Sequence, residues 1–458
     1  MEPYEPRPVR HRFLIGVGIC VFALAIVATV FLLAPANSIV HGAKLPFSLE
    51  KEQYVVAHGS EAALSNSNFF NDVKADFLEK KSDLIEADLS GMVLRVYHEG
   101  EQVLEVPILT KGREGSWWET PAGLYTISTK EKNHFSSFGK VYQPWSMSFQ
   151  GNFFIHGWPY YPSGEPVPQG YSGGCIRLST EDAEKVFALV DVGTPVLVFE
   201  KDFSSDDFSY TELATSTTAR AYLAADVKNN QVLYGKDTKA LLPIASVTKL
   251  MTAFIATEYI NLDTNATVPQ EALVYTSRPR FSAGQKVSVY QLLFPLLTES
   301  SNEAAETIAR HYGRAQFVDR MNEKAASIGM THTVFTDPSG ADAGNVSTPE
   351  DLFILAKYLY NNRKFILNIS SGKLKDSAYG TPLFSDLQNF NDLYTHQYFV
   401  GGKVGQTIAA KETNLSIFEI PVGDTVRPIA LIVLGAESSK DDLTTLLEGV
   451  LNRFSSVR

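Results

Sequence analysis

Hydrophobic and polar positions divide the first 82 residues into two kinds of segment. Residues 13–34, FLIGVGICVFALAIVATVFLLA, form an apolar run of 22 residues without a charge or a proline. A helix of that length crosses a hydrocarbon core of about 30 Å. Residues 35–82 are polar with scattered apolar positions and helical stretches. The pattern predicts a transmembrane anchor at 13–34 and a spacer or stalk at 35–82.

The hydrophobic pattern of the remaining residues divides them into a β-rich segment, a short linker and a segment of alternating strands and helices. Residues 83–200 contain short runs rich in β-branched and aromatic residues, such as MVLRVYHEG, GNFFIHGW and TPVLVFE, which predict a mostly β domain. One helix is expected after Thr180, with Thr180 itself as N-cap. Residues 201–213 have no clear period and are expected to form a linker. Over 214–458, strands alternate with longer helical patterns such as VTKLMTAFIATEYI and TPEDLFILAKYLYNN, which predicts an α/β domain.

Charge and cysteine content exclude several functions. The chain has 51 acidic and 40 basic residues and a net charge of −11, so we expect no nucleic-acid partner. Its two cysteines, Cys20 and Cys175, allow neither a disulfide scaffold nor a four-cysteine zinc site. No candidate cluster has metal-ligand spacing, and we expect no metal and no organic cofactor.

Basic residues before the apolar run predict the membrane topology. Arg7, Arg10 and Arg12 precede the run, and few positive charges follow it, so residues 1–12 are expected in the cytoplasm and the remainder outside. The Ala34-Pro35-Ala36 sequence also fits a signal-peptide cleavage site. Because the run exceeds the 7 to 15 residues usual in signal peptides, a single-pass, uncleaved anchor in the cell membrane is the preferred interpretation.

Cys175 is a candidate nucleophile in the β-rich domain. Two glycines precede it in Ser172-Gly173-Gly174-Cys175-Ile176-Arg177, and they allow a substrate to approach the backbone closely. A reactive thiol needs a base or a positive neighbour, and His156 and Arg177 could supply these. From these residues alone, a catalytic and a structural cysteine remain equally open.

Residues 84–200 resemble an L,D-transpeptidase catalytic domain of the YkuD type. His156-Gly157 is followed after 15 residues by the Ser172–Arg177 motif, and TPAGLYTI matches an upstream element of the family. The resemblance implies that Cys175 is acylated, that His156 is its base and that the Gly157 backbone orients the imidazole. It also implies an oxyanion hole from the amides around Gly174 and Cys175. Substrate-binding roles are implied for Ser172 and Arg177. The family usually has a histidine where this chain has Gly173.

The α/β domain contains three separated polar motifs. Ser246 and Lys249 lie three residues apart at a predicted helix start, so both side chains fall on one face. Ser300 and Asn302 precede another predicted helix, where a simple N-cap is the alternative. Lys403-Val404-Gly405 lies in GGKVGQT, where the alternative is a strand entering a turn. Each motif alone is weak evidence for catalysis.

Their order resembles the low-molecular-weight penicillin-binding proteins, the serine D-alanyl-D-alanine carboxypeptidases. ARAYLAADVKNNQVLYGKDTKALLPIASVTKLMTAF and YQLLFPLLTESSNEAAETIA carry the resemblance, as does GGKVGQT. It implies an α/β serine penicillin-binding or β-lactamase-like fold, with Ser246 as nucleophile and Lys249 as base. Further implied roles are proton relay and substrate binding for Ser300 and Asn302, carboxylate attraction for Lys403, and substrate or oxyanion contacts for Gly405 and Thr407. Val404 replaces the family's threonine, and this substitution predicts weakened carboxypeptidase activity.

Together the two resemblances predict a membrane-anchored, bifunctional peptidoglycan enzyme. The serine domain would trim pentapeptide stems to tetrapeptides, and the cysteine domain would crosslink those tetrapeptides. The expected partners are peptidoglycan stem peptides, β-lactams as covalent inhibitors, and the membrane through the N-terminal helix. Three alternatives stay open: a C-terminal pseudoenzyme that only binds stem peptides beside an active transpeptidase, a β-lactamase-like serine hydrolase, and a structural envelope anchor without chemistry.

Overall fold

The computed structural model describes residues 48–49, 52–53, 69–113, 116, 118–137, 139–170, 172–199, 215–228, 230–372 and 383–455. The predicted cytoplasmic segment 1–12, the predicted anchor at 13–34 and the predicted linker at 201–213 lie outside these residues. Within the described part of the chain, no helix has both the length and the apolar character needed to cross a membrane. The described residues all fall in one compact unit, Ala43–Arg458.

Residues 69–199, here called the cysteine domain, contain nine strands and two helices among their described residues. Ahead of them lies a short pair, β1 (Ser48–Leu49) and β2 (Glu52–Gln53). The elements are α1 (Phe69–Glu79), β3 (Leu84–Asp88), β4 (Val93–His98), β5 (Glu101–Pro107), β6 (Gly123–Thr126), β7 (Thr129–Ser136), β8 (Val141–Gln150), β9 (Phe153–His156), β10 (Ile176–Arg177), α2 (Thr180–Leu189) and β11 (Pro195–Phe199).

Two sheets enclose the core of the cysteine domain. One has the strand order β5-β4-β3-β11-β6 and the other β10-β9-β8-β7. Apolar residues from both sheets, among them Ile85, Val196, Met147 and Ile155, form one buried cluster between them. Alternation along each strand directs these side chains inward, as the sequence pattern predicts. The domain is thus mostly β.

Helix α1 corrects the prediction that all of residues 35–82 form a spacer. Val73 and Phe77 are buried against Leu84, Tyr97 and Leu197 of the first sheet. The apolar positions of FFNDVKADFLE recur at helical spacing, so one face packs on the sheet while the polar face stays exposed. At least residues 69–79 therefore belong to the folded domain.

The N-cap of helix α2 is Ser179, not Thr180. Ser179 has extended backbone angles, φ −62° and ψ 154°, and its hydroxyl accepts the Asp182 amide. Thr180 is already the first helical residue. Serine and threonine are both favoured N-cap residues, so the sequence alone does not distinguish Ser179 from Thr180. The extended backbone of Ser179 identifies it as the N-cap.

Residues 215–455, here called the serine domain, combine a five-stranded sheet with helices. The strands are β12 (Ala221–Asp226), β13 (Val232–Lys236), β14 (Leu242–Pro243), β15 (Asn265–Thr267), β16 (Lys286–Ser288), β17 (Val346–Ser347), β18 (Phe399–Thr407), β19 (Lys411–Val422) and β20 (Thr425–Ala436). The helices are α3 (Thr248–Tyr259), α4 (Val289–Thr298), α5 (Asn302–Tyr312), α6 (Arg314–Ser327), α7 (Pro349–Asn362), α8 (Lys364–Ser370) and α9 (Ser439–Ser455).

The main sheet of the serine domain is covered on both faces. Its order is β13-β12-β20-β19-β18, and all its pairings are antiparallel. Along β20, Ala430, Ile432 and Leu434 face the large helical core. Ile429, Leu431 and Val433 face the smaller core that includes α9. A near-continuous apolar strand is therefore explained by burial on two sides.

Candidate active sites

Ser246 lies in a tight turn at the start of helix α3. The preceding residue, Ala245, has φ +46°, a left-handed conformation that a side chain disfavours. This turn presents Ser246 one helical turn from Lys249. The Lys249 Nζ lies 2.9 Å from Ser246 Oγ, and it donates to Asn302 Oδ1 at 2.7 Å and to the Ser339 carbonyl at 2.6 Å. The fold thus brings three distant segments around one amine.

Burial favours the neutral, basic form of this amine. Lys249 is fully buried, and burial, together with the charge of Lys403, holds its pKa well below the usual value. A neutral lysine can accept the proton of the serine hydroxyl to which it is hydrogen-bonded. Burial also lowers the pKa of Lys403 to about 7. The Lys403 ammonium donates to the Val404 carbonyl at 2.8 Å.

A cavity of about 540 Å³ opens beside Ser246. Ser300, Asn302, Val404, Gly405 and Thr407 line it together with Tyr275 and Asp392. Strand β18 forms one wall, and a Cβ at position 405 would lie 2.6 Å from the Ser246 amide nitrogen. Glycine at 405 therefore lets the strand approach this N–H, which is a candidate oxyanion donor. The residues predicted from sequence in this domain converge on one site.

One part of the serine site was missed by the sequence prediction. Residues 337–340 lie outside the three predicted motifs and supply the Ser339 carbonyl that accepts from Lys249. The Asp337 carboxylate accepts the Ser339 and Gly340 amides and fixes this turn. Gly340 has φ +79°, and a Cβ there would lie 1.9 Å from the Ala245 carbonyl. Gly340 was the one sequence feature that could have indicated this contact, because only glycine fits against the turn before Ser246.

Cys175 follows a tight glycine turn in the cysteine domain. Gly174 has φ +100°, and a Cβ there would lie 2.3 Å from the Phe153 ring. Ser172 Oγ donates to the Cys175 carbonyl at 2.5 Å and accepts the Gly174 amide at 3.1 Å. The Gly174 amide is thus engaged within the turn, which corrects its predicted place in an oxyanion hole. Ser172 shapes the loop that presents Cys175.

His156 ends strand β9, and Cys175 immediately precedes the parallel neighbouring strand β10. His156 is aligned with Arg177 in the β9–β10 pair, and Cys175 is two residues before Arg177, so these side chains share one face. His156 Nδ1 lies 2.6 Å from the Gly157 carbonyl. Because a carbonyl only accepts, Nδ1 carries the proton and Nε2 carries the lone pair. Nε2 is buried and has no hydrogen-bond partner in the structure.

Both groups are uncharged in the resting site. Burial lowers the pKa of His156 to about 3, and the Arg177 charge adds to this effect. Burial raises the pKa of the Cys175 thiol, although the Phe154 backbone, Arg177 and Gln143 oppose the shift. The resting site therefore holds a neutral thiol and a neutral imidazole rather than a thiolate–imidazolium pair.

A cavity of about 420 Å³ contains Cys175 and Arg177. Gln143 is buried beside the thiol, and its Nε2 lies 4.0 Å from Sγ; Asn152 also lines the cavity. Neither Gln143 nor Asn152 was predicted from sequence, because neither lies near a motif. Gly173, where the resemblance expects histidine, is exposed at this cavity and leaves it open there.

The predicted residues form two groups rather than one. The cavity around Ser246 and the cavity around Cys175 have no lining residue in common. Among the described residues, no group of three or more His, Cys, Asp or Glu side chains could hold a metal ion. Each group contains a side-chain nucleophile, Ser246 or Cys175, and a candidate nitrogen base, Lys249 or His156.

Two family models match the chain. The model for D-alanyl-D-alanine carboxypeptidases matches residues 209–438, which is half of the sequence. The model for the L,D-transpeptidase catalytic domain matches residues 82–198. Both resemblances inferred from sequence are thereby confirmed.

Several curated relatives are similar to the serine domain. A D-alanyl-D-alanine endopeptidase of Haemophilus influenzae is 38% identical over 33% of this chain and 55% of its own length. A D-alanyl-D-alanine endopeptidase of Escherichia coli is 31% identical over 47% of this chain and 70% of its own length. A D-alanyl-D-alanine carboxypeptidase of Mycobacterium tuberculosis is 32% identical over 43% and 68%, respectively.

Solved structures also match this region. The crystal structure of a D-alanyl-D-alanine carboxypeptidase from Mycobacterium tuberculosis has a TM-score of 0.46 and 25% identity, covering 54% of this chain and 96% of the other. Penicillin-binding protein D2 from Listeria monocytogenes, in its cefotaxime-bound form, has a TM-score of 0.44 and 27% identity, with coverage of 54% and 100%.

Proposed function

We propose that this chain, which belongs to the D-alanyl-D-alanine carboxypeptidase family and also contains an L,D-transpeptidase catalytic domain, performs two successive acyl transfers on peptidoglycan stem peptides. The serine domain would remove the terminal D-Ala of a pentapeptide stem. The cysteine domain would use the resulting tetrapeptide as acyl donor for a crosslink. The observation that carries the proposal is the presence of both nucleophiles, each with a neutral base on a neighbouring turn or strand.

At the serine site, Lys249 supports nucleophilic attack. Its neutral amine takes the Ser246 proton as Oγ attacks the carbonyl of the penultimate D-Ala, and the oxyanion forms near the Ser246 amide. Collapse of this intermediate breaks the peptide bond, and the leaving D-Ala nitrogen takes the proton back. Water then hydrolyses the acyl-enzyme by the same proton path. The Lys403 ammonium attracts the terminal carboxylate.

At the cysteine site, His156 takes the thiol proton during attack. Sγ bonds to the carbonyl of the third stem residue, and the proton moves to the free lone pair of Nε2. The terminal D-Ala leaves with that proton. An acceptor amine then attacks the thioester carbonyl, the bond to Sγ breaks, and the amine proton returns through Nε2 to the thiol. The imidazolium form is short-lived because His156 is buried beside Arg177. Arg177, partly buried in the cavity, holds the acyl donor.

Product analysis tests the two-step scheme. The full chain is incubated with pentapeptide muropeptides, and products are identified by mass spectrometry. We expect tetrapeptides and crosslinked dimers from the parent, tetrapeptides alone from Cys175→Ser, and neither from Ser246→Ala. Ser246→Ala should regain dimer formation when tetrapeptide is supplied directly. A dimer yield from pentapeptide that is unchanged in Ser246→Ala would refute the sequential scheme.

Penicillin labelling separates the alternatives for the serine domain. A stable label that is lost in Ser246→Ala supports a penicillin-binding enzyme, and rapid turnover of the antibiotic supports a β-lactamase-like hydrolase. An unlabelled parent supports a pseudoenzyme that only binds stem peptides. The Lys249–Ser246 hydrogen bond of 2.9 Å favours catalysis over binding alone.

A D-alanyl-D-alanine endopeptidase is a second candidate for the serine site, because the relatives from Haemophilus influenzae and Escherichia coli carry that name. Such an enzyme would cleave a D-Ala bond within an existing crosslink instead of at a stem terminus. Purified crosslinked dimers distinguish the two activities. Loss of dimer with the parent and not with Ser246→Ala would favour the endopeptidase.

The cellular location follows as part of the proposal. The apolar run at 13–34 would anchor the chain in the cell membrane, with both catalytic domains on the outer side, where peptidoglycan lies. External protease treatment of spheroplasts should digest the two domains. An N-terminus starting after Ala36 in the mature protein would instead support a cleaved signal peptide.

A further inference from the structure

The cavity around Cys175 has walls from both domains. Trp118, Gln143, Asn152 and Phe154 line it from the cysteine domain. Thr257, Tyr259, Ile260 and Asn261 line it from the serine domain, at the end of helix α3 and just beyond it. The cysteine domain alone would leave one side of this cavity open to solvent.

Buried polar contacts hold this wall in place. Glu258 in helix α3 accepts from Gln150 of the cysteine domain at 3.1 Å and from Arg363 at 2.7 Å. Arg363 also donates to the Glu119 carbonyl at 3.0 Å. Gly151 approaches so closely that a Cβ would lie 2.9 Å from the Glu258 carbonyl. The hydrogen bonds are charge-assisted and buried or partly buried, and with the close approach of Gly151 they set the position of residues 257–261 relative to the cavity.

The Cys175 turn is tied to the same contacts. Thr120, next to Glu119, donates from its hydroxyl to the Gly174 carbonyl at 2.8 Å. The Trp118 side chain packs against the main core of the serine domain. The loop that presents the thiol and the wall that faces it are therefore positioned by one interface.

We propose that residues 257–261 of the serine domain form a subsite for the stem peptide acylated at Cys175, with Asn261 as a specificity-determining hydrogen-bond donor. This inference rests on the proposed function, since it assigns the acyl-donor contacts of the same site. The ligand class is a peptide backbone, which presents carbonyl acceptors to a neutral amide. The L,D-transpeptidase site is thus completed by the carboxypeptidase domain.

The turn after helix α3 fixes the orientation of the Asn261 side chain. Its Oδ1 accepts the Asp263 amide at 3.0 Å, and its backbone carbonyl accepts the Thr264 amide at 3.0 Å. With Oδ1 committed to the turn, the Nδ2 group is the end of the side chain that can donate to a ligand. The Tyr259 ring supplies apolar surface on the same wall.

Asn261→Asp tests this role with little change in the turn. Aspartate keeps the oxygen that accepts the Asp263 amide, removes the donor and places a negative charge at the peptide carbonyl. The matched control is Asn265→Asp, which adds the same charge at an exposed residue four positions on that does not line this cavity. Both variants are made in the full chain.

Two measurements are compared for the parent and both variants. The first is the KM and kcat of crosslinking with a disaccharide tetrapeptide as acyl donor. The second is protection of Cys175 from iodoacetamide by the same tetrapeptide, followed by peptide mass spectrometry. We expect Asn261→Asp to raise KM and the half-protecting concentration about tenfold, with kcat changed less than twofold. Penicillin labelling of Ser246 should be unchanged in both variants.

The outcomes separate the inference from the proposed function. Crosslinking with equal KM in Asn261→Asp, Asn265→Asp and the parent overturns the subsite and leaves the function intact. Protection that is weakened only in Asn261→Asp, without any crosslinking, supports the subsite and refutes the transpeptidase function. A tetrapeptide that neither reacts nor protects Cys175 in the parent overturns both.

Discussion

Replacing Arg363 by methionine removes a buried guanidinium that joins the two domains. Arg363 is fully buried and donates to the Glu258 carboxylate at 2.7 Å, to the Glu119 carbonyl at 3.0 Å and to the Asn362 carbonyl at 2.6 Å. Its guanidinium also lies 5.2 Å from the centre of the Phe153 ring. Methionine preserves most of the apolar stem and removes each of these polar contacts.

The expected loss of stability is moderate because Glu258 keeps a second cation. Burial opposes its ionisation, but Lys324, at 2.6 Å, and Arg363 together lower the pKa of Glu258. Removing one member of a buried ionic cluster costs about 3 to 5 kcal/mol. For a domain of this size, that loss lowers Tm by roughly 6 to 20 °C. The same change frees the Glu119 backbone, and through Thr120 it loosens the turn before Cys175.

The assay is acylation of Cys175 by a carbapenem, followed by intact-protein mass spectrometry below both melting temperatures. We expect Arg363→Met to slow acylation roughly ten- to a hundredfold, because displacement of a reacting group by about 1 Å has effects of this order. Arg427→Met is the matched control, since Arg427 is equally buried and binds Asp226 at 2.9 Å within the serine domain. It should lower Tm comparably and leave Cys175 acylation unchanged. If acylation of Cys175 slows equally in both variants, or does not slow in Arg363→Met, then Arg363 does not position the turn before Cys175.

Three further predictions concern the serine site. Gly405→Ala should slow penicillin acylation at least about a hundredfold, measured by stopped-flow fluorescence, because a Cβ would lie 2.6 Å from the Ser246 amide. Val404→Thr should raise kcat/KM for D-Ala release about tenfold or more, since a hydrogen bond to a carboxylate contributes roughly 1.5 to 3 kcal/mol; an unchanged rate would contradict this. In a pH series, kcat/KM for a substrate with a free terminal carboxylate should fall as pH rises through about 7, because the lowered pKa of Lys403 means that its charge is lost there. At acidic pH, kcat/KM should also fall, because Lys249 has to be neutral to act as the base. A C-terminally amidated substrate has no carboxylate for Lys403 to attract, so its kcat/KM should not show the fall at alkaline pH.

Local patterns predicted the helices of the serine domain well. VTKLMTAFIATEYI predicted α3, which runs from Thr248 to Tyr259, and TPEDLFILAKYLYNN predicted α7, from Pro349 to Asn362. The motifs at Ser246, Asn302 and Lys403 are far apart in sequence, and no periodicity could bring them together. Their convergence could be anticipated only from the resemblance to a family whose fold is known.

Other features have no local signature. Strand β7, TKEKNHFS, is almost entirely polar and was not predicted, because its partner β8 supplies the apolar positions of the hairpin. The sequence gives no sign that Gln150, Glu258 and Arg363 lie at an interface, because Gln, Glu and Arg are mostly exposed in folded proteins. Glu258 and Arg363 are buried, and Gln150 is half-buried, where the two domains pack together, and a local sequence pattern does not encode that contact.

Helix α3 connects the two candidate sites. Its first turn carries Lys249 beside Ser246, and its last residue, Tyr259, faces the Cys175 cavity. At 1.5 Å per residue, these positions are about 15 Å apart along the helix axis. A fully extended tetrapeptide spans about 13 to 14 Å, and the two cavities share no lining residue. In the proposed scheme, a stem trimmed at Ser246 therefore has to leave one cavity before its shortened end enters the other. In the proposed scheme, the sequence of the two steps is then set by substrate chemistry, because only a tetrapeptide is the acyl donor at Cys175, and the shared helix serves to complete the second site.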